Sequence, residues 1–520
     1  MLRVKTLTLD GQSLRLSDLE PLLDEDLAGD GPVLKLSVSK AAMVRVRAAR
    51  KVVEDHVAAG DVVYGLTTGF GKLKSVAVEA KDLEELQRNL IVSHCTGVGE
   101  SLPLREVRAA QILRLNGLVR GHSGVCVSTI EMLVRLFNAG FVPDVPSQGS
   151  VGACGDLAPL AEMAATYMGY GHAYLGGKRK TAKAALKALG EEPLVLQAKE
   201  GLALINGTEI MKGVGVITWL RARNLSKTAD AVASLTLEAL FGSLAPFDPR
   251  LAELKGHEGH RRTSANFRRL LKGSQVMKSH ANCDRVQDPY SLRCIPQVHG
   301  AFKCALQHVG DVLAGEINAV TDNPILFPDT GEVISAGQFH GQPVSMVMDY
   351  LALSLATIAN ISERRIEQLV NPDLSELPAF LTPAPGLNSG FMIAQVTAAS
   401  LASENKSLAH PASVDSVPTS ANQEDHVSMG VTAARKARAI LENTERVVAI
   451  ELMCAAQGRE FHGELRAGKG ARAVRECLRE RVKPLGQDRY LRNDIEASRQ
   501  LVASGAVARA AQGAAGKLES

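Results

Sequence analysis

The stretch Ser150-Val151-Gly152-Ala153-Cys154-Gly155-Asp156-Leu157-Ala158-Pro159 reads as a sharp turn running into a helix. Gly152 and Gly155 bracket one small residue and one cysteine. Asp156 stands at a helix start, and Pro159 falls in the first turn, where a missing N–H costs little. The helix continues through Leu160, Met163 and Ala164 to about Gly169. Small residues at such a turn leave room for one backbone amide to approach another carbonyl.

Working outward, the flanks are helical. A helix is predicted from Lys40 to about Ala58, capped by Ser39 and apolar at Met43, Val46, Ala49, Val52 and Val53. Asp61 to Gly71 reads as a short strand ending in a loop with three glycines and Tyr64 at its mouth. Further helices cover about Lys81–Ser93 and Leu104–Val119, and a third opens with a capping box, Ser128 to Glu131, and stops at Gly140. Residues 171–204 form a small strand-and-helix insertion, with Thr181–Leu189 helical. Ile205-Asn206-Gly207-Thr208 opens a long helix to about Phe241.

Beyond residue 240 a basic helix covers about Ser264–Leu271, and Gln287–Cys294 is irregular. Very long helical patterns follow at about Val298–Ala319, Gly341–Val370 and Asp425–Gln457, apolar around much of their circumference. Asn371–Asn388 is a proline-rich loop, residues 468–510 are helical, and the Ala/Gly-rich tail is expected to fray. The chain therefore reads as mainly α: a long-helix bundle over residues 241–520, and a smaller α+β N-terminal region, 1–240, carrying the turn.

Bulk properties narrow the function. The 520 residues carry 59 Lys+Arg against 56 Asp+Glu, so a net charge of +3 gives no reason to expect nucleic acid or a membrane surface as partner. Aromatics are only 4%, which favours helices over sandwiches or barrels. The N-terminus has no long apolar segment of the signal-peptide kind. The apolar run Tyr350–Ile361 is too short to span a bilayer and reads as a core helix. The eight cysteines lack metal-type spacing, so a reduced, cytoplasmic protein is the simplest fit. No HExxH, GxxxxGK[ST] or GxGxxG pattern points to a metal or a phosphate.

The residues with chemistry lie far apart. Arg293 could fork onto a carboxylate or form a structural ion pair beside Asp288. His94 could read a ligand or be a satisfied structural histidine. Glu424, where Asn422–His426 opens a long helix, could be functional or a cap. Cys154 could be an activated thiol at a helix N-terminus or a small buried apolar group.

Together, YGLTTGFG, LQRNLIVSH, GSVGACGDLAPLA, GLALINGT, QDPYSLRC, TDNPI, GLNSGFMIAQVTAASLASENK and SANQEDHVSMG resemble the histidine ammonia-lyase family of aromatic amino acid lyases, over nearly the whole chain. The resemblance implies a cofactor built by the protein itself, with no external cofactor and no metal. An Ala-Ser-Gly tripeptide cyclises to 4-methylideneimidazole-5-one (MIO); here the positions are Ala153, Cys154 and Gly155, with Asp156 placed to assist. It implies Tyr64 as the catalytic tyrosine, Arg293 on the substrate carboxylate, Tyr290 and Asn206 near the reacting centre, Gln287 in support and Phe339 near the ring. His94 with Glu424 matches the histidine-specific pattern, an imidazole offering two ring nitrogens to bond. The expected reaction converts L-histidine to trans-urocanate and ammonia, in a homotetramer with shared active sites. The alternatives are a tyrosine or phenylalanine ammonia-lyase, an aminomutase, or an unmatured, non-catalytic homologue.

Four positions depart from the family pattern. Cys154 replaces serine, Thr67 and Gln338 stand where asparagine is usual, and Glu209 stands where glutamine is commoner. The thiol could leave as hydrogen sulfide and give the same ring, or remain and leave the protein inactive.

Overall fold

Four long helices hold much of the apolar interior: Glu209–Ala239, Ile295–Glu316, Gln342–Val370 and Gly430–Glu460. They come from a computed structural model that describes residues 4–24, 31–69, 71, 74, 76, 78–281 and 284–520. Phe70 and Cys283 lie outside the described residues. The mainly α expectation holds, and the small sheets occur in the first of two compact units. That unit comprises Met1–Ile217, Gly310–Asp349 and Pro411–Arg435. The second comprises Thr218–Val309, Tyr350–His410 and Lys436–Ser520. A boundary at 240/241 falls inside the second unit, because each long helix contributes residues to both.

In the first unit, Lys5–Leu9 pairs in parallel with Leu34–Val38. Val98–Ser101 pairs antiparallel with Pro146–Gln148, which carries the chain toward the Gly152 turn. The insertion forms the hairpin His172–Leu175 with Lys178–Thr181, followed by the helix Ala182–Leu189, as read from the sequence.

Local signals set some boundaries. Ser39 caps Lys40–Ala59 by accepting the Ala42 N–H, and left-handed Gly60 closes it. Others are overridden. The helix after residue 126 runs Val127–Asn138 with no capping box. Instead Glu200 Oε1 accepts the Cys126 N–H (2.9 Å) and the Thr129 hydroxyl (2.6 Å), so a distant carboxylate does the capping. Gln342–Val370 is long and apolar enough to cross a membrane by length and composition, yet 67% of its most apolar window is buried inside the protein, as a core helix is. The proline-rich segment contains the short helix Pro372–Ser375, and the basic helix is longer than read, Glu258–Leu270.

The C-terminal tail does not fray. Leu518 is fully buried, Glu519 N–H donates to Asn266 Oδ1 (3.0 Å), and Asn266 Nδ2 donates to the Glu519 carbonyl (2.8 Å). Truncation after Gly516 is expected to cost about 2–4 kcal/mol, from one buried leucine and two hydrogen bonds. Thermal unfolding checks this: an unchanged midpoint would return the tail to a frayed end.

Candidate active site

Gly152 to Gly155 form a tight turn, in which the Gly155 N–H donates to the Gly152 carbonyl at 3.1 Å. Ala153 and Cys154 occupy its corner, and Cys154 is left-handed at φ +49°. A second strand of backbone locks it: Gly207 N–H donates to the Cys154 carbonyl (3.2 Å), and Asp156 N–H donates to the Gly207 carbonyl (2.7 Å). The packing explains the glycine. A Cβ on Gly155 would stand 2.1 Å from the Gly207 oxygen, at φ +84°. Gly155→Ala is therefore expected to destabilise the first unit by about 2–5 kcal/mol, from left-handed strain and overpacking together. A thermal midpoint equal to that of the unsubstituted protein would show that the turn is soft.

Asp156 starts the helix Leu157–Tyr167, but its side chain does not cap that helix. Oδ2 accepts the N–H groups of Ile210 (2.8 Å) and Met211 (2.9 Å), in the first turn of Glu209–Ala239. Oδ1 is buried with no partner. Burial pushes the carboxyl up to about 7, and the nearby Glu209 charge adds to the rise against the two amides.

Glu424 sits over the turn. Cys154 Sγ donates to its Oε1 at 3.0 Å, and the Thr419 hydroxyl donates to its Oε2 at 3.1 Å. The expected helix start at Asn422–His426 is not formed. Thr419 and Glu424 exchange backbone hydrogen bonds around Ser420, Ala421 and Asn422, all left-handed, and the helix begins only at Gly430. Glu424 is thus not a helix cap. Burial and this carboxylate push the Cys154 thiol well above its ordinary value. The helix N-terminus does not win, so Cys154 is a protonated thiol rather than an activated thiolate.

His94 ends the helix Leu83–His94, and its Nδ1 lies 2.7 Å from the Leu90 carbonyl. A carbonyl only accepts, so Nδ1 carries the hydrogen and Nε2 of the neutral ring is an acceptor. Burial lowers the His94 pKa, with the Leu90 bond and Glu424 opposing. Tyr64 is half-buried, and its hydroxyl accepts a long hydrogen bond from Gly71 N–H (3.5 Å). Burial raises its pKa, and the charge of Glu424 raises it further. The strand expected before it is absent: Thr67 donates to the Asp61 carbonyl (2.6 Å) and accepts the Val63 N–H (3.0 Å), folding residues 61–67 into turns. That hydroxyl accounts for Thr67.

Asn206 is 1% exposed. Its Nδ2 donates to the Asn323 carbonyl (3.1 Å), leaving Oδ1 buried and unpaired. Arg114 donates to the Asn206 carbonyl (2.8 Å) and to Glu209 (2.7 Å). Glu209 also accepts from Thr321 (2.8 Å) and Lys212 (3.2 Å). Burial alone would raise the Glu209 pKa, but Arg114 and Lys212 outweigh it and hold it at about 2. Phe339 is half-buried in a turn before His340, which stacks on His426 at 5.7 Å. Gln338 is exposed, and nothing in the structure explains it.

In the second unit, Gln287 and Arg293 line a cavity of about 610 Å³ that Arg268, Lys272, Lys278 and Arg285 also line. Tyr290, 70% exposed, opens the short helix Tyr290–Arg293 in what read as an irregular loop. The Arg293 guanidinium lies 4.4 Å from the centre of its ring, and Arg293 Nε is buried without a partner. Asp288 is not the partner of Arg293: it accepts the Ser243 N–H (2.6 Å) and faces Arg285 (3.6 Å).

The structure thus brings Tyr64, His94, Cys154 and Glu424 together, sets Asn206 behind Gly207, and gathers Gln287, Tyr290 and Arg293 as a group of their own. Sequence reasoning missed Arg114, Thr419 and the lock by Gly207. The only signal for the last was the glycine in Ile205–Thr208. Among the described residues, no group of three His, Cys, Asp or Glu side chains is placed to hold a metal ion.

Residues 26–480 match the family described as aromatic amino acid lyase. A histidine ammonia-lyase of Symbiobacterium thermophilum is 54% identical over 91% of this chain and 94% of its own length. The crystal structure of histidine ammonia-lyase from Trypanosoma cruzi superposes with a TM-score of 0.90 at 41% identity, covering 98% of this chain and 95% of that one. A tyrosine aminomutase from Streptomyces globisporus superposes with a TM-score of 0.92 at 35% identity, covering 99% of this chain and 100% of that one.

Proposed function

The chain belongs to the aromatic amino acid lyase family, and from that premise we propose that it is a carbon–nitrogen lyase removing ammonia from L-histidine to give trans-urocanate, the entry step of histidine degradation. The observation that carries this reading is the meeting of Glu424 with the Cys154 corner at 3.0 Å, close enough to His94 for its charge to act on that ring. The imidazolium form of a histidine substrate has two ring N–H groups, and Glu424 with His94 Nε2 is a pair of acceptors suited to them. The neighbouring aminomutase shares the backbone equally well but less of the sequence, so the side chains decide in favour of histidine.

We infer that Ala153-Cys154-Gly155 matures into MIO. The turn fits: its corner is already folded back on itself, and only glycine is tolerated at 155. MIO supplies an electrophilic exocyclic carbon of a kind that no ordinary side chain offers. The remaining tasks fall to side chains. Arg293, with an unpaired Nε, takes the substrate carboxylate, with Tyr290 and Gln287 beside it. Tyr64 takes the β-proton. Burial and the Glu424 charge hold its phenol protonated, and pairing of Glu424 with the substrate removes the second of these. Asn206 Oδ1, buried and unpaired, accepts from the substrate amine, and Phe339 packs at the ring.

The assembly proposed is a homotetramer whose active sites combine residues of neighbouring subunits. Exposed Tyr350, Leu353, Ile393 and Val396 supply apolar surface for it. The described cysteines are free, which fits a reducing cytoplasm. Adding L-histidine and following urocanate absorbance tests the reading: urocanate is expected, and turnover of tyrosine or phenylalanine in its place would overturn it.

A further inference from the structure

Asp156 and Glu209 are both fully buried and meet at one helix start. The two N–H groups that Asp156 Oδ2 accepts belong to the residues directly after Glu209, so Oδ2 is saturated. Oδ1 is the one open position, buried and unpaired, on the residue that follows Gly155. Lys212, 1% exposed, stands one turn further along the same helix and binds Glu209 at 3.2 Å. The other charges around this group are Arg114, on the far side of Glu209, and Glu316, half-buried, whose backbone carbonyl accepts from Lys212 (3.2 Å). From the turn itself come Cys154 and, beyond it, Glu424.

We propose that Glu209 and Lys212 act as positioning charges that set the protonation of Asp156 Oδ1, and with it the pH at which the Ala153-Cys154-Gly155 turn matures. The inference rests on the reading that this turn matures. In that chemistry the Gly155 nitrogen bonds to the Ala153 carbonyl carbon. The Ala153 oxygen leaves as water with the Gly155 and Cys154 amide hydrogens. The Cys154 sulfur and its hydrogen leave as hydrogen sulfide with the Cys154 Cα hydrogen. Every step moves a proton and none needs an oxidant, so the charge of the one open carboxyl oxygen beside Gly155 governs the rate. Glu209, negative and close in a dry interior, favours the protonated form of Asp156. Lys212 favours the charged form.

The sign of each substitution follows. Glu209→Gln removes the opposing negative charge and leaves Arg114 and Lys212 less balanced, so both effects favour the charged form of Asp156 and move the titration toward acid. Lys212→Met moves it toward alkaline pH. Full-length protein made by cell-free translation, then incubated across a pH series, reads this by intact mass: the fraction lighter by one hydrogen sulfide and one water gives the maturation rate at each pH. The expected result is a midpoint shift of about one pH unit toward acid for Glu209→Gln and about one unit toward alkali for Lys212→Met. A merely structural role would slow maturation at every pH without moving the midpoint, and that result, or shifts of the same sign in both variants, overturns the proposal. If the unsubstituted chain loses no mass at any pH, the maturation reading itself fails and takes the proposal with it.

Discussion

Tyr64→Phe is expected to abolish histidine turnover, by about 10³-fold or more, while the protein folds and matures as before. The substitution removes one oxygen, whose only hydrogen bond among the described residues is the long one from Gly71. Little stability rides on it, so the thermal midpoint should hardly move. What is lost is the group beside Cys154 and Glu424 that can take a proton from the substrate. Steady-state urocanate formation together with intact mass separates the outcomes. A dead enzyme of mature mass supports the proton-transfer role. Loss of the fold or the assembly would mean that the tyrosine is structural, and retained activity would move the role to another group.

Glu424→Ala is expected to lower histidine turnover by roughly a hundredfold or more, the scale of losing a hydrogen bond to a charged group in a partly buried site. Glu424 does not cap the Gly430–Glu460 helix. Removing its carboxylate therefore costs that helix nothing and, among the described residues, frees only the Thr419 hydroxyl and the Cys154 sulfur. Histidine turnover is the measurement, with thermal unfolding beside it. An unaffected rate would reduce Glu424 to the anchor of its own turn.

Much of the fold was legible because many of its signals are local. Ser39 and Gly60 bound the first long helix almost to the residue, and the glycines of the Ser150–Pro159 stretch mark a turn that really is left-handed. What was not legible depends on partners distant in sequence. Ser128 lost its capping box to Glu200, more than seventy residues away. Asp156, read as a start for its own helix, caps another. The Asn422–His426 helix start gave way to three left-handed residues held by Thr419 pairing with Glu424, which no periodicity encodes. The Ala/Gly-rich tail looked free because the groups that hold it, Asn266 among them, lie some 250 positions earlier. The departures Thr67 and Glu209 became intelligible only when their hydrogen bonds could be seen. As for the site, Tyr64, His94, Cys154 and Glu424 carry weak signals one by one; the family resemblance joined them, and their geometry around one turn supplies the physical reason.

On the proposed maturation, this turn becomes an electrophile. The intact mass of the purified, unsubstituted protein tests it most directly. The expected result is a chain lighter than its sequence by one hydrogen sulfide and one water, with both losses at Ala153-Cys154-Gly155. A mass equal to the full sequence, with a free thiol still present at Cys154, would contradict it.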